Sequence, residues 1–447
     1  MPNLNKLVNK HTISLATSAA MPVIGMLVLS LMAHNLPAAD FGNYIFLLIT
    51  ILLADTFRNG FVQTSLIKFY AGASKKRAVN VAGSAWYVGL VQALIFVAAD
   101  GLIYLFYRSK SIDTETTIQW FGIIYITTLP AAVASYILQA EEKFGRMLIL
   151  QVVNQGLFLI FILTLIFLHK LSFQTAVYAY FAGSAVTSLL TIFNGWAKIR
   201  TIKHRTKETV SQLAHFGKFS VGTSISSYLL RSSDTFIIKL MFNPALLAVY
   251  YIPQRLMEVF EIPMRAGVAT AMPELSAAVH KNNPEEVAVI MKRYAGMLTV
   301  ALIPIAIVAF LLGEVVIEIL FGKQYRDTEA VNIFRLFMCY VMLMPIDRFF
   351  GITLDIINKP HLNMLKVLLM LVVNVAGDFI GIFIFHSLYA VAIASLFTFF
   401  AGALFGYYTL KKHLKFTIRD IFSIGYHELK GIVSHLLEKS KTDKVDI

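Results

Sequence analysis

Residues 388–410 of the chain read LYAVAIASLFTFFAGALFGYYTL, and this stretch contains no Asp, Glu, Lys or Arg. Just before it, residues 363–386 read NMLKVLLMLVVNVAGDFIGIFIFH, with only Lys366 and Asp378 charged. A helix that crosses a membrane needs about 20 mostly apolar residues, because the hydrocarbon offers no water to backbone N–H and C=O groups. Both stretches meet that length, so they predict two consecutive membrane-spanning helices joined by a tight turn.

Ten further apolar runs of similar length are spread over the rest of the chain. With the two above they make twelve runs, at residues 12–33, 41–66, 80–106, 117–139, 146–168, 172–196, 219–241, 246–272, 292–321, 330–357, 363–386 and 388–410. The ninth run is long, and we expect it to bend near Pro304 or Gly313. The connections are short. The pattern therefore predicts an all-α polytopic membrane protein, with twelve transmembrane helices in two six-helix bundles and no extramembrane domain.

The composition excludes several classes of protein. Of the 447 residues, 57% are hydrophobic and 15% are charged, whereas a soluble domain carries about 25% charged residues. An ordinary soluble enzyme, a disordered chain and a collagen-like fibre are therefore excluded. The single cysteine, Cys339, excludes a disulfide framework within the chain. No Walker, GxSxG, DxD or HExxH pattern is present, so we predict neither an enzyme nor a bound cofactor or metal.

The positive charge follows membrane topology. The formal net charge is +13. If the N-terminus is cytoplasmic, the segments on that side hold 27 of the 39 Lys and Arg residues, and the outer loops hold 5. Cytoplasmic loops of membrane proteins carry such an excess. The asymmetry predicts that both chain termini are cytoplasmic, and it assigns the basic charge to topology and anionic lipid rather than to nucleic acid.

The chain divides into two halves with weak internal similarity. The longest predicted cytoplasmic loop, around residues 198–218, separates six runs from six. Pro37 with Tyr44 recurs as Pro244 with Tyr251, and the tripeptide Val-Val-Asn at 152–154 recurs at 372–374. Both halves start on the same side, which is typical of parallel repeats. We therefore predict an N-terminal six-helix lobe at 1–212 and a C-terminal lobe at 213–410.

Residues 411–447 form a basic tail after the last run. Between residues 417 and 438 the apolar residues recur at helical spacing, with basic and polar residues opposite. A helix of this kind lies in the interface of a membrane. We predict a cytoplasmic amphipathic helix on the inner leaflet, with docking of a protein partner as the alternative.

Charged residues occur inside four of the predicted spans, where each charge is costly and usually faces a cavity or a partner. They are Asp55, Arg58, Arg231, Asp234, Arg255, Glu258, Glu261, Arg265, Asp347 and Arg348. Every acid among them has an arginine within four residues, so local ion pairs are the structural alternative. Because the pattern recurs on four helices, we favour a wet, charged cavity over structural pairing.

Two helices of the second half have further features. On the seventh, Asp234 shares a stripe with Ser220, Ser224, Ser227 and Arg231, so it is the best candidate for an ion site, unless Arg231 neutralises it. On the eighth, three prolines recur at ten-residue spacing: Pro253, Pro263 and Pro273. Proline removes a backbone hydrogen bond and kinks a helix, so these predict a hinge, with a static bend as the alternative.

Several short motifs resemble one known group of membrane proteins. They are Phe41-Gly42-Asn43-Tyr44, Asp234 followed by Ala248-Val249-Tyr250, Met272-Pro273-Glu274-Leu275-Ser276, Leu320-Phe321-Gly322-Lys323-Gln324-Tyr325, and Asn374 with residues 390–394. With twelve helices in two halves, the chain resembles the oligosaccharide-lipid and polysaccharide flippases, including the O-antigen flippase-like branch. These are relatives of the multidrug and toxin extruders.

The resemblance implies alternating access and a lipid-linked oligosaccharide cargo, moved from the inner to the outer leaflet of a bacterial inner membrane. Under this hypothesis the arginines bind the diphosphate or acidic sugars: Arg58, Arg231, Arg255, Arg265 and Arg348. The acids bind sugar hydroxyls or a coupling H⁺ or Na⁺: Asp55, Asp234, Glu258, Glu261 and Asp347. Expected partners are the lipid-linked glycan, membrane lipids, and glycan polymerase or assembly proteins.

Three alternatives stay open at this point. A multidrug and toxin extrusion-type cation antiporter would need acids more than arginines. A membrane-bound glycan polymerase or ligase would need a long outer loop, and the sequence shows none. A scaffold without cargo would not need charges in four helices.

Overall fold

The computed structural model describes residues 22–106 and 112–442. Within these ranges the chain forms helices and no strand. The helices are α1 Pro22–Asn35, α2 Ala38–Arg58, α3 Thr64–Tyr70, α4 Lys75–Phe106, α5 Ile112–Thr127, α6 Leu129–Ala140, α7 Phe144–Phe167, α8 Phe173–Phe193, α9 Lys207–Met241, α10 Pro244–His280, α11 Pro284–Leu311, α12 Gly313–Phe321, α13 Lys323–Arg326, α14 Ala330–Tyr340, α15 Leu343–Ile356, α16 Pro360–Phe385, α17 Leu388–Lys411 and α18 Ile418–Thr442. A π-helical turn, Asn59–Gln63, joins α2 to α3, and a 3₁₀ helix, Ile199–His204, precedes α9.

Every predicted apolar run is mainly helical where the structure describes it, with non-helical residues that include Thr128, 194–196 and 341–342. Among the described residues, eight helical segments are long and apolar enough to cross a membrane, and α14 with α15, bent by 49°, makes a ninth. α1 is a shorter apolar helix, and residues 12–21 of its run lie outside the described residues. The two other long helices, α9 and α10, carry six of the ten charged residues singled out above. The all-α polytopic membrane fold is confirmed.

Large apolar side chains cover the outside of the helices. Phe106, Phe167 and Phe193 are 86%, 83% and 84% exposed. Water would disfavour so much apolar surface, whereas lipid chains accept it. The ninth run is interrupted at Leu312, beside the predicted Gly313, where α11 ends and α12 begins, whereas Pro304 lies inside α11.

The described chain forms two compact units. The first comprises Met1–Tyr228 with Asn243–Ala248, and the second comprises Leu229–Phe242 with Val249–Ile447. These boundaries fall inside α9 and α10, so each of these helices contributes residues to both units. The division into lobes at residue 212 stays a prediction.

In the first unit, Glu141 joins three helix ends outside the spans. Its carboxylate accepts hydrogen bonds from Tyr70 Oη at 2.7 Å, from Lys143 Nζ at 2.6 Å and from Lys198 Nζ. Burial raises the pKa of Glu141, but these hydrogen bonds outweigh it and lower the pKa to about 2. The carboxylate is therefore ionised at neutral pH and ties the ends of α3 and α6 to the start of the 3₁₀ helix Ile199–His204.

Corresponding turns of the two halves have the same backbone geometry. Glu142, after the fourth span, and Asn358, after the tenth, have φ of 54° and 60°. The next residue, Lys143 or Lys359, donates its N–H to the carbonyl five residues earlier, at 2.9 and 2.8 Å. This is the left-handed helix end that satisfies carbonyls of the last turn. His169 and Asn282 end their helices in the same way, so the turn does not distinguish the two halves, and the duplication stays a prediction.

The tail packs onto the second unit. Leu414, Phe416 and Ile421 are buried in a hydrophobic cluster with residues of α11 and α15. α18 crosses α11 where Gly296 and Gly425 meet backbone to backbone, and a Cβ at either glycine would overlap backbone atoms of the other helix. The amphipathic helix predicted in the tail is therefore present and docked on α11. Its position relative to lipid stays a prediction.

We expect Gly425→Ala to lower the melting temperature of the purified protein by several degrees. The added methyl group overlaps the Gly296 backbone, and overpacking of this kind costs about 1–3 kcal/mol. Gly431→Ala, in the same helix but with open space around it, is the matched control, and we expect it to be neutral or slightly stabilising. Equal effects of the two substitutions on thermal unfolding in detergent would contradict the crossing.

Candidate functional site

Arg58 is buried inside the first unit, where it is 3% exposed. It ends α2, and its guanidinium donates to the carboxylate of Asp55, to the Tyr125 carbonyl at 3.2 Å and to Thr128 Oγ1 at 3.1 Å. It also lies 4.7 Å from the centre of the Tyr125 ring. The π-helical turn that follows is held by Tyr136 Oη, which donates to Asn59 Oδ1 at 2.5 Å. The partners of Arg58 are all protein groups in this arrangement.

An exposed cluster of three charges lies on α9 and α10 in the second unit. Glu261 accepts from Arg231 at 3.1 Å through one carboxylate oxygen and from Arg265 at 2.8 Å through the other. The two arginine side chains are 56% and 60% exposed. The three groups carry one net positive charge. A guanidinium exposed at membrane depth requires water or a polar ligand beside it.

The other predicted residues of α10 surround this cluster. Arg255, mostly buried, pairs with Glu258 one turn away. Pro253, Pro263 and Pro273 all lie inside α10, which is one helix from Pro244 to His280. A hinge at these prolines stays a prediction.

On α15, Asp347 and Arg348 do not pair with each other. Asp347 binds Lys366 of α16, whose Nζ lies 2.6 Å from Asp347 Oδ1 and 2.8 Å from its carbonyl oxygen. Lys366 is buried, so this ion pair lies inside the helix packing. Arg348 is exposed and makes no hydrogen bond or ion pair in the part of the chain that the structure describes.

Asp234 lies in a buried polar cluster formed by four helices of the second unit. Tyr250 Oη of α10 donates to Asp234 Oδ2 at 2.6 Å, and Ser395 Oγ of α17 to the same oxygen at 3.3 Å. From α16, Asn374 Nδ2 donates to Asp234 Oδ1 at 2.5 Å and to Asp378 Oδ2 at 3.0 Å. Thr398 Oγ1 of α17 donates to Asn374 Oδ1 at 3.2 Å. Two carboxylates thus share one amide group.

This cluster contains no basic side chain. Asp378 is 0% exposed, and its Oδ1 is buried without a hydrogen-bond partner. Two buried carboxylates so close together cannot both stay charged unless a cation accompanies them. The donor set consists of carboxylate, amide and hydroxyl oxygens, which suit a proton or a hard cation such as Na⁺. In the described residues no group of three or more His, Cys, Asp or Glu side chains offers another metal site.

Of the five ion pairs expected from the helical spacing of acids and arginines, three are present. Asp55–Arg58, Arg255–Glu258 and Glu261–Arg265 are present. Arg231 does not neutralise Asp234, because it pairs with Glu261, and Asp347 binds Lys366 instead of Arg348.

Sequence reasoning missed Asn374 and Asp378 as residues of the candidate cation site. They lie one turn apart in the interior of α16, where a charge is costly. That spacing, Asn-x-x-x-Asp within an apolar run, was the available signal.

Comparisons with known proteins agree with this architecture. A family model described as "Polysaccharide biosynthesis protein" matches residues 31–330. No curated protein matches. Among solved structures, the lipid II flippase MurJ in an inward closed conformation has a TM-score of 0.72 and 14% identity, covering 96% of this chain and 92% of that one.

Two other solved structures show the same fold. An inward-facing MATE family multidrug resistance transporter of the MOP superfamily has a TM-score of 0.69 and 17% identity, covering 88% of this chain and 96% of that one. A MOP superfamily transporter from Pyrococcus furiosus has a TM-score of 0.59 and 16% identity, covering 90% and 93%.

At these identities the matches establish the fold, and the fold implied by the predicted resemblance is confirmed. The family model covers more than half of the chain. The chain therefore belongs to the polysaccharide biosynthesis protein family.

Proposed function

We propose that the protein is a flippase that moves a lipid-linked oligosaccharide from the inner to the outer leaflet of a bacterial inner membrane, driven by a coupling cation. The observation that carries the proposal is the pairing of two sites on the same helices. The exposed arginine cluster lies on α9 and α10, and the buried acidic cluster, which has no basic side chain, includes Asp234 of α9 and Tyr250 of α10. Membership in the polysaccharide biosynthesis family favours a glycan cargo.

The exposed cluster has the chemistry of a site for the cargo's diphosphate. The guanidinium groups of Arg231 and Arg265 each have five N–H donors. Glu261 accepts from only some of them, so the others can bind a ligand. Arginine binds phosphate through paired, charge-assisted hydrogen bonds. The diphosphate would compete with Glu261 for the arginines, and the net positive charge of the cluster would attract it.

The buried cluster has the chemistry of the coupling site. A cation or proton bound between Asp234 and Asp378 would neutralise their repulsion and satisfy the unpartnered Asp378 Oδ1. A membrane potential of about 100 mV supplies about 2.3 kcal/mol for each charge moved across the bilayer. This is enough to bias an alternating-access cycle.

A short chain of contacts connects the two sites. Thr235, next to Asp234 on α9, donates to Gln254 Oε1 at 3.2 Å, and Gln254 Nε2 donates to the carbonyl of Arg231 at 3.0 Å. Cation binding at Asp234 would therefore adjust α9 against α10 one turn from Arg231. Such a packed element, biased by both ligands, is what coupling requires.

A multidrug cation antiporter is the second candidate, on the strength of the MATE fold match. The exposed charges favour the flippase, because two arginines flank one glutamate and the net charge would repel a cationic drug. A polymerase or ligase has no further support here. We propose that the protein has no enzymatic activity.

The test is a flipping assay with purified protein in liposomes, using a fluorescent isoprenoid diphosphate oligosaccharide and a membrane-impermeant quencher. We expect protein-dependent flipping that increases with an imposed Na⁺ or H⁺ gradient. Ethidium uptake is measured in parallel. Ethidium transport without glycolipid flipping would overturn the proposal in favour of the antiporter.

A further inference from the structure

A cavity of about 350 Å³ opens at one end of the second unit, away from both sites above. Three connections meet there: the α10–α11 turn, the α15–α16 turn and the segment between α17 and α18. These follow the eighth, tenth and twelfth spans, so this end is the predicted cytoplasmic one. The polar lining residues of the cavity are Asn282, Asn283, Asn358, Lys359 and His413.

Four polar side chains of the cavity have no protein partner. Within the described chain, the side chains of Lys359, His413, Asn282 and Asn358 form neither a hydrogen bond nor an ion pair, whereas Asn283 caps α11. No Asp or Glu lines the cavity. The nearby Glu286 binds Lys281 and Asn283. The cavity therefore offers a cation, an imidazole and two amides to an anion.

The backbone around the cavity adds to this preference. Pro284 is the first residue of α11 and Lys359 is the N-cap of α16, so two helices begin beside the cavity. The N-terminus of α11 is capped by Asn283 and carries Glu285 and Glu286, so the uncapped N-terminus of α16 is the one that favours an anion. The Lys359 side chain makes no capping hydrogen bond. Helix N-termini stabilise negative charge, and phosphate in particular.

The remaining surface indicates that the anion belongs to a lipid. Val279, Ile357 and Leu414 give the cavity an apolar wall. Beyond Leu414, Ile418, Phe422 and Tyr426 recur every fourth residue along α18, and Ile418 and Tyr426 are exposed. Arg419 and Lys430 are exposed on the adjoining side of the helix. An apolar stripe bordered by basic residues is typical of a helix at a lipid interface.

We infer that this cavity binds the phosphate headgroup of an anionic phospholipid of the inner leaflet, with the lipid chains passing along the apolar stripe of α18. Lys359 and His413 contact the phosphate, and Asn282 and Asn358 contact the glycerol or headgroup hydroxyls. Bound lipid would hold α18 on the second unit at the membrane surface. This site is separate from the proposed cargo and cation sites.

The test uses purified full-length protein in a neutral detergent, titrated with short-chain phosphatidylglycerol, short-chain phosphatidylcholine or sodium phosphate. Thermal stabilisation and native mass spectrometry report binding. We expect phosphatidylglycerol to bind, and Lys359→Gln/His413→Gln to weaken its binding about tenfold or more, because two charge-assisted hydrogen bonds are lost.

The matched control is Lys412→Gln/Lys415→Gln, which removes two exposed charges from the same segment without touching the cavity. We expect less than about a threefold change with this control. If both double variants lost phosphatidylglycerol binding equally, the binding would depend on general surface charge, and the proposed site would be overturned. Equal binding of phosphatidylcholine, or of sodium phosphate, would overturn the assignment to an anionic lipid.

Discussion

Asp378→Asn and Asp234→Asn are each expected to abolish the stimulation of transport by a cation gradient. Each substitution leaves a single carboxylate among neutral donors, so the cluster no longer requires a cation for charge balance. We expect the apparent affinity for the coupling cation to fall at least about tenfold, the effect of losing one strong ligand. Gradient-independent equilibration of the cargo should persist, because the exposed arginine cluster is unchanged.

The measurement combines transport with thermal stability. Cation binding to the folded protein raises its melting temperature with cation concentration, so Na⁺ titrated against K⁺ distinguishes a sodium site, and a pH series distinguishes a proton site. Asp100→Asn is the matched control, because Asp100 lies in α4 and accepts one hydrogen bond from the Gly122 amide. If the Asp378 variant kept full gradient dependence, the buried cluster would not be the coupling site.

The arrangement of this cluster shows what the sequence could and could not predict. The apolar runs predicted the positions of the helices, because the bilayer thickness sets their length and each run can be recognised from its local sequence alone. The contacts of Asp234 cannot be recognised from local sequence. Asn374 lies 140 residues further along the chain, and only packing of α9 against α16 brings the two together.

The same limit explains the errors in ion pairing. Helical spacing correctly predicted Asp55–Arg58 and Glu261–Arg265, which lie one turn apart on one helix. It gave the wrong partners for Arg231 and Asp347, because each found a closer charge on a neighbouring helix. Spacing also says little about burial, so the sequence did not separate the enclosed Arg58 from the exposed Arg231.

Arg231→Ala is expected to reduce flipping of a diphosphate-linked oligosaccharide at least about tenfold, and Arg231→Lys to restore it only in part. Lysine keeps the charge but lacks the planar fork that binds phosphate through two parallel hydrogen bonds. The assay is initial flipping rate at matched protein incorporation. Arg326→Ala is the control, because Arg326 is also exposed and paired with a glutamate, Glu318, outside both sites.

The double variant Arg231→Ala/Glu261→Gln separates cargo binding from structural pairing. If Arg231 only neutralised Glu261, removing both charges would restore a balanced helix pair, and transport would return to near the wild-type rate. If Arg231 binds the diphosphate, the double variant stays as inactive as Arg231→Ala. Glu261→Gln alone then lowers the cargo concentration for half-maximal flipping, because the competing carboxylate no longer occupies the guanidinium groups of Arg231 and Arg265. Recovery in the double variant would assign the cluster to folding rather than to cargo.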